Sequence, residues 1–192
     1  MSTAAAGPAR HRFEPTALPE VVLVHAPLYA DARGFFVETW QAERFAAAGI
    51  AARFVQDNHS RSVRRTLRGL HYQVRHAQGK LVRPIRGRIY DVAVDLRRSS
   101  PRFGRWVGVT LSDEGGEALW VPPGFAHGFL ALSETADVHY KCTDVYWPEH
   151  ERVLRWDDPA LAIAWPLAPG EEPLLAPRDA AGQALAGAET YA

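Results

Sequence analysis

At 192 residues, 47% of them apolar and 23% charged, the chain is long enough for one domain with a real core. Six Trp, six Tyr and eight Phe exclude a disordered chain. Its 22 basic and 22 acidic side chains cancel, so there is no global field for nucleic acid or an anionic membrane and any anion site must be built locally.

In chain order, the opening MSTAAAGPARHR lacks the apolar core of a secretory signal, and no later run approaches the roughly 18 apolar residues that span a bilayer. Residues 1–12 are expected to be a flexible lead. VVLVH at 21–25 and GFFVET at 34–39 are β-branched or aromatic runs that predict strands, with the polar YADARG as a turn-like connector between them. QAERFAAAG at 41–49 carries strong helix formers and stops at Gly49, which predicts one short helix with a glycine cap. Strand signals then recur at short spacing: RFVQDNHS, TLRGLHYQ, KLVRPIRG, IYDVAVDL, RWVGVTL, EALWVP, HGFLAL and VHYKCTD. Turn formers such as SSPRFG, SDEGG and PPG separate them, which predicts an all-β barrel or sandwich.

Within IYDVAVDL, a period of two puts Ile89, Asp91, Ala93 and Asp95 on one face and Tyr90, Val92, Val94 and Leu96 on the other; the second face is expected to be core. The single cysteine, Cys142, rules out an internal disulfide framework and any multi-cysteine zinc site, and fits a reducing cytoplasm. After residue 147 the pattern loosens into a Pro- and Ala-rich stretch with Trp147, Trp156 and Trp165. It is too short and irregular for a core of its own and is expected to wrap the barrel as an ordered tail, with residues 183–192 mobile.

Small all-β barrels of the cupin type resemble this pattern, and many hold a metal through one motif with two His and a Glu and a second motif P-x-G-x-x-H. PPGFAH supplies the second with Pro122, Gly124 and His127. Where the first has H-x-H, this chain has His71, Tyr72 and Gln73, and VRHAQGK lacks the expected acid. Two imidazoles without a carboxylate or a third His make a poor site, and His76 sits in a loop-like connection, so no metal ligand is assigned.

Arg68, His71, Lys80, His127 and Tyr140, with Gln56 and Asn58 on a neighbouring strand, then stand out as polar residues in strands that alternate with Leu67, Leu70 and Val82. Singly, each suits an outer face equally well; together they suggest a wet, ligand-sized cavity. A neutral His suits a general base, a Lys an oxyanion, and a Tyr a proton donor from the opposite side. That set fits proton abstraction next to a carbonyl, with no redox or metal cofactor required.

The runs FVQDNHSRSVRRTLRGLHYQ, QGKLVRPIRGRIYDVAVDLRRSSPRFGRWVGVTLS, LWVPPGFAHGFLALS, YKCTDVYWPEHERVLRWDDPALAIAWP and RDAAG, in this order, closely resemble the dTDP-4-dehydrorhamnose 3,5-epimerase family over residues 13–182. The resemblance implies a single all-β domain, a cupin-type jelly-roll barrel with a few short helices and a C-terminal wrapping tail. It implies metal- and cofactor-independent epimerisation of a dTDP-4-keto-6-deoxyhexose at C3 and C5, in a cytoplasmic homodimer whose N-terminal strands are exchanged between subunits. His71 matches the family's proton acceptor, Asp179 its carboxylate partner, Lys80 the lysine near the C4 carbonyl and Tyr140 the proton donor. Arg33, Glu38, Gln56, Asp57, Asn58, Arg68, His127, Glu151 and Arg178 match positions that contact the sugar nucleotide, and Tyr146 matches an aromatic near it.

A single-centre epimerase of C3 or C5 from natural-product deoxysugar biosynthesis shares the same catalytic set. The alternatives from other classes are a metal-dependent cupin and a non-catalytic sugar-nucleotide binding module; the latter would need neither His71 nor Asp179. Arg61, Arg64 and Arg65 are expected to form a solvated turn, and Asp157 and Asp158 a turn before Pro159 rather than a carboxylate pair.

Overall fold

The computed structural model describes residues 10–192. Two antiparallel sheets face each other. One has the order β1 (Arg12–Pro15), β2 (Val22–His25), β10 (Glu117–Val121), β7 (Lys80–Arg86), β12 (Thr135–Cys142), β5 (Gln56–Val63). The other runs β13 (Glu151–Val153), β6 (Leu67–Gln73), β11 (Phe125–Ala131), β8 (Arg88–Asp95), β9 (Trp106–Ser112). Strands β3 (Leu28–Asp31) and β4 (Gly34–Val37) form a separate hairpin. This is the predicted all-β jelly-roll barrel, with only two short α-helices, α1 (Ala42–Ala47) and α2 (Pro177–Ala180), among the described residues.

Each predicted strand run overlaps one strand, and α1 lies inside the predicted helix. Its N-cap Gln41 accepts from the Arg44 N–H, and the chain leaves it through Gly49 at a φ of 87°, a conformation that glycine adopts without strain. YADARG is a correction: its first residues are the end of β3 and only its middle is a turn, because Leu28 to Asp31 pair residue for residue with Val37 to Gly34. Strands β1 and β13 also escaped the sequence reading, being only 4 and 3 residues long.

The barrel interior is filled by Val82, Val121 and Val138 from one sheet against Ile89, Ala93, Phe125 and Phe129 from the other. The reading of β8 is therefore half right. Val92, Val94 and Leu96 are buried, but against Leu154, Leu161, Ile163, Trp165 and Tyr191 of the tail, on the outside of the barrel. The face with Ile89, Asp91, Ala93 and Asp95 points inward and is also fully buried. The alternation misleads because the acids of the inward face are buried and paired, Asp91 with His127 and Asp95 with Arg97 and Ser100.

The tail docks as a strap. Leu154 and Leu70 exchange backbone hydrogen bonds, and Leu67 and Leu174 bond across the other end of β6. Residues of the 183–192 segment, expected to be mobile, are bonded to the barrel. Tyr191 donates its hydroxyl to Gln73 O at 2.6 Å and its N–H to Leu96 O at 3.1 Å, while the Tyr72 hydroxyl donates to Glu189 O at 2.7 Å. The alanine-rich composition hid these anchors. Of the expected N-terminal lead, residues 1–9 lie outside the described residues, and Arg12 already pairs with His25 in β1. Among the described residues, no helix is long and apolar enough to cross a membrane.

Candidate active site

Arg68 and His71 are three residues apart on β6, an odd spacing that strict alternation would send to opposite faces. The pairing with β11 slips between them: His127 lies opposite His71, but Phe129 lies opposite Arg68, so three residues of β6 span two of β11. This bulge turns both side chains toward one cavity. Glycines permit it. A Cβ on Gly69, whose φ is 133°, would stand 2.5 Å from the Gly128 Cα, so the two strands approach backbone to backbone.

The cavity lies between this bulged strand and the inner faces of β5, β7 and β12. An inner chamber of about 110 Å³ is bordered by Arg68, His71, Lys80, His127, Tyr140 and Asp179 among others. A wider outer chamber of about 280 Å³ shares His71, Lys80, Tyr140 and Arg178 and adds Gln56, Asn58, Tyr146 and Glu151.

Helix α2, begun by Pro177 at a position where a missing N–H is harmless, carries Arg178 and Asp179 to the cavity. Asp179 is 2% exposed, and its Oδ1 lies 2.7 Å from His71 Nε2. A carboxylate can only accept, so Nε2 carries the proton and Nδ1 is left as the basic nitrogen of a neutral ring. A second pair lies beside the first. His127 Nε2 is 2.8 Å from Oδ1 of Asp91, which is fully buried and whose Oδ2 has no hydrogen-bond partner among the described residues.

Lys80 sits where β7 runs between β10 and β12, and burial pulls its ammonium below the ordinary lysine value, opposed by Cys142, Glu151 and Asp91. Burial moves the Tyr140 phenol the other way, above its ordinary value, so that it keeps its proton further into the alkaline range. An ammonium, a phenol and a carboxylate-oriented imidazole thus border one space, and together they can remove a proton, hold an oxyanion and return a proton.

At the outer rim the Tyr146 hydroxyl donates to Glu151 Oε2 at 2.9 Å, and Arg178 donates to the same oxygen at 2.9 Å. Gln56 donates to Asn58 Oδ1 at 3.0 Å, and Asn58 points its amide at the Cys142 sulfur, a buried thiol that burial holds above the ordinary cysteine value. Arg68 is steadied by Ser62 Oγ at 3.0 Å.

Three sequence-predicted site residues lie elsewhere in the chain. Asp57 alternates with Gln56 and Asn58 on β5, so it faces outward, where Lys141 binds it at 2.8 Å. Arg33, 90% exposed at its side chain, is tied to Asp31 at the hairpin tip, and Glu38 binds Arg44 at 2.6 Å. Of the expected solvated turn, Arg64 and Arg65 lie in a turn, whereas Arg61, also exposed, lies in β5 and grips the buried Asp137 through two bonds, the nearer at 2.8 Å. Asp157 and Asp158 do serve a turn, pairing with Arg155 and with the Ala160 N–H.

Sequence reasoning missed Asp91, Ser60, Gln78 and Phe129 as cavity neighbours. Asp91 was missed because the face it shares with Ile89 and Ala93 is not the one the sequence marks as core. Gln73, at the position of a cupin metal ligand, is 3% exposed and its amide is engaged by backbone: it donates to His76 O at 2.7 Å and accepts from Trp147 N at 2.8 Å.

The family model of dTDP-4-dehydrorhamnose 3,5-epimerase matches residues 15–187. The enzyme of that name from Pseudomonas aeruginosa is 53% identical over 176 residues, covering 91% of this chain and 96% of the relative. That from Methanothermobacter thermautotrophicus is 49% identical over 171 residues, covering 89% and 92%. The crystal structure of the Legionella pneumophila dTDP-6-deoxy-D-glucose-3,5-epimerase in complex with dTDP-4-keto-L-rhamnose is similar at a TM-score of 0.90 and 50% identity, covering 94% of this chain and 95% of that one. A 4-keto-6-deoxy sugar epimerase from the novobiocin cluster of Streptomyces spheroides is similar at 0.87 and 37% identity, covering 96% and 92%. This chain belongs to the dTDP-4-dehydrorhamnose 3,5-epimerase family.

Proposed function

We propose that this member of the epimerase family inverts C3 and C5 of dTDP-4-dehydro-6-deoxy-D-glucose to give dTDP-4-dehydro-L-rhamnose. The protein is an isomerase acting on a carbohydrate. The observation that carries the proposal is the His71–Asp179 pair, 2.7 Å apart, beside a cavity that Lys80 and Tyr140 also border.

His71 removes a proton from a carbon next to the C4 ketone through Nδ1, and the imidazolium so formed is held by Asp179. The electron pair moves to the C4 oxygen, where the Lys80 ammonium stabilises the enolate. Tyr140 returns a proton from the opposite face, which inverts the centre. No electron leaves the substrate and no cofactor enters the scheme. Arg68 and Arg178 suit the diphosphate, since a guanidinium meets phosphate oxygens with paired, permanently charged donors, and His127, Gln56, Asn58, Tyr146 and Glu151 complete the walls.

A homodimer is part of the same proposal. Phe35 and Phe36 on the β3–β4 hairpin are 64% and 68% exposed, and Arg33 and Glu38 lie away from the cavity of their own protomer. An exchanged hairpin would bury the phenylalanines and bring both polar residues to the partner's site. Phe35→Asp combined with Phe36→Asp should sediment as a monomer where the parent chain sediments as a dimer; a parent chain that is monomeric would refute this. Residues 13–182 would act as one domain, and the free thiol of Cys142 is in keeping with a cytoplasmic enzyme.

The deciding experiment is incubation with dTDP-4-keto-6-deoxyglucose in heavy water, following deuterium by NMR. Incorporation at C3 and C5 is expected. Incorporation at one carbon would make it a single-centre enzyme, and at neither would remove the epimerase assignment.

A further inference from the structure

Behind the outer chamber, four consecutive residues without regular secondary structure, Asp144 to Trp147, are held by glutamine side chains from three separate parts of the chain. Gln78 donates to Asp144 O at 2.9 Å. Gln73 donates to Val145 O at 3.3 Å and accepts from Trp147 N at 2.8 Å, while Tyr146 N donates to Gln56 Oε1 at 2.9 Å. Of the three, Gln73 grips the residue on each side of Tyr146. It sits two positions beyond His71, and its backbone oxygen is itself pinned by the Tyr191 hydroxyl at 2.6 Å.

The geometry requires an amide. One end must accept from an N–H and the other must donate to two carbonyls, His76 O and Val145 O, in a place closed to water that could substitute. A carboxylate would set an oxygen against both carbonyls, and an apolar side chain would leave all three backbone groups without this partner.

We propose that Gln73 is a positioning residue for sugar-nucleotide binding. It touches no substrate; it fixes the Asp144–Trp147 segment, which aims the Tyr146 hydroxyl at Glu151 and so sets the carboxylate that holds the Arg178 guanidinium. This rests on the epimerase reading, in which that rim meets the nucleotide end of the substrate. Contacts made there are equal in the bound and transition states, so their loss raises KM and leaves kcat.

The test uses the full chain with Gln73→Met and Gln73→Glu, comparing steady-state kinetics, calorimetric titration with dTDP and thermal melting. At neutral pH both variants should show KM and the dTDP dissociation constant raised about tenfold, with kcat within about twofold. As pH falls, the new glutamate of Gln73→Glu protonates and regains a donor for the carbonyls, so its KM should recover toward the parent value while that of Gln73→Met does not. A merely structural role would lower the melting temperature without that recovery. Unchanged KM and dTDP affinity, a fall in kcat at constant KM, or identical pH behaviour of the two variants would each overturn the proposal. If Gln73→Met fails to fold, the near-isosteric Gln73→Glu decides alone. If the parent chain exchanges neither proton, the epimerase reading fails, and the dTDP titration still decides the role of Gln73.

Discussion

Replacing Asp179 with asparagine keeps the shape of the side chain against His71 and removes its charge. The Asp179 and His71 side chains are 3% and 18% exposed, so solvent and salt screen the pair less than they would at the surface. With charge centres about 4 Å apart and an effective dielectric constant of about 20, the carboxylate stabilises the imidazolium formed on proton abstraction by about 4 kcal/mol. Each 1.4 kcal/mol or so is a factor of about ten in rate, so deuterium exchange should slow about 1,000-fold. A tautomer effect acts in the same direction. An amide NH₂ turned toward Nε2 favours the proton on Nδ1, which leaves the nitrogen assigned as the base without its lone pair. The assay is the initial rate of deuterium uptake at C3 and C5, with dTDP affinity and melting temperature as controls for the intact rim and fold. Exchange within about tenfold of the parent chain, with both controls unchanged, would refute Asp179 as the partner that makes His71 a base.

Tyr140→Phe removes the proposed donor and keeps the ring, so turnover should fall about 100- to 10,000-fold while His71 still labilises substrate protons; inversion at the parent rate would remove Tyr140 from its role. Lys80 acts as a cation, present below its pKa, so kcat should decline as pH rises through a value lower than that of an ordinary lysine. Lys80→Arg should move that alkaline limb upward, and a limb that stays in place belongs to another group; the Tyr140 phenol, shifted upward by burial, titrates too late to cause it. The sign for stability is opposite to that for activity. Because the folded pKa of Lys80 is depressed, the unfolded chain binds more protons between the two values, so stability rises with pH across that window and the charged form is a cost below it. Lys80→Met should therefore raise the melting temperature at neutral pH while abolishing turnover, and a lowered melting temperature would show that burial of the charge is offset elsewhere.

Most of the strand order was legible because turn formers punctuate β-branched runs, and those signals are local. What they do not carry is which of two buried faces looks inward. In β8 the inward face carries the fully buried Asp91 and Asp95, and the all-apolar face chosen from the sequence packs under the tail, which no short-range pattern can indicate. The tail itself was readable as ordered from its tryptophans, yet its last ten residues were not, since their hold depends on Tyr191 meeting Gln73 O, a partner 118 positions away. Asp57 shows the converse. It entered the candidate site only through the family resemblance, although the period of two on β5 assigns it to the face away from Gln56 and Asn58, where Lys141 pairs with it.

The pair Arg68 and His71 defeats that same rule from the other side. Strict alternation places them on opposite faces, and only the resemblance and the grouping of polar residues kept both in the predicted cavity. The resolution lies in residues with no chemistry of their own. Gly69 and Gly128 remove the two Cβ atoms that would hold β6 and β11 apart, the close contact admits one extra residue on β6, and the register slip turns a three-residue spacing into a shared direction. The same slip leaves His127 directly opposite His71, so two imidazoles, each held by its own buried carboxylate, stand side by side without sharing a ligand. In a metal-binding cupin the second histidine of H-x-H would complete such a cluster. Here Gln73 occupies that place, and its amide is already committed to the segment that carries Tyr146. Gln73 thus has a task of its own, holding the segment at the opposite end of the same cavity.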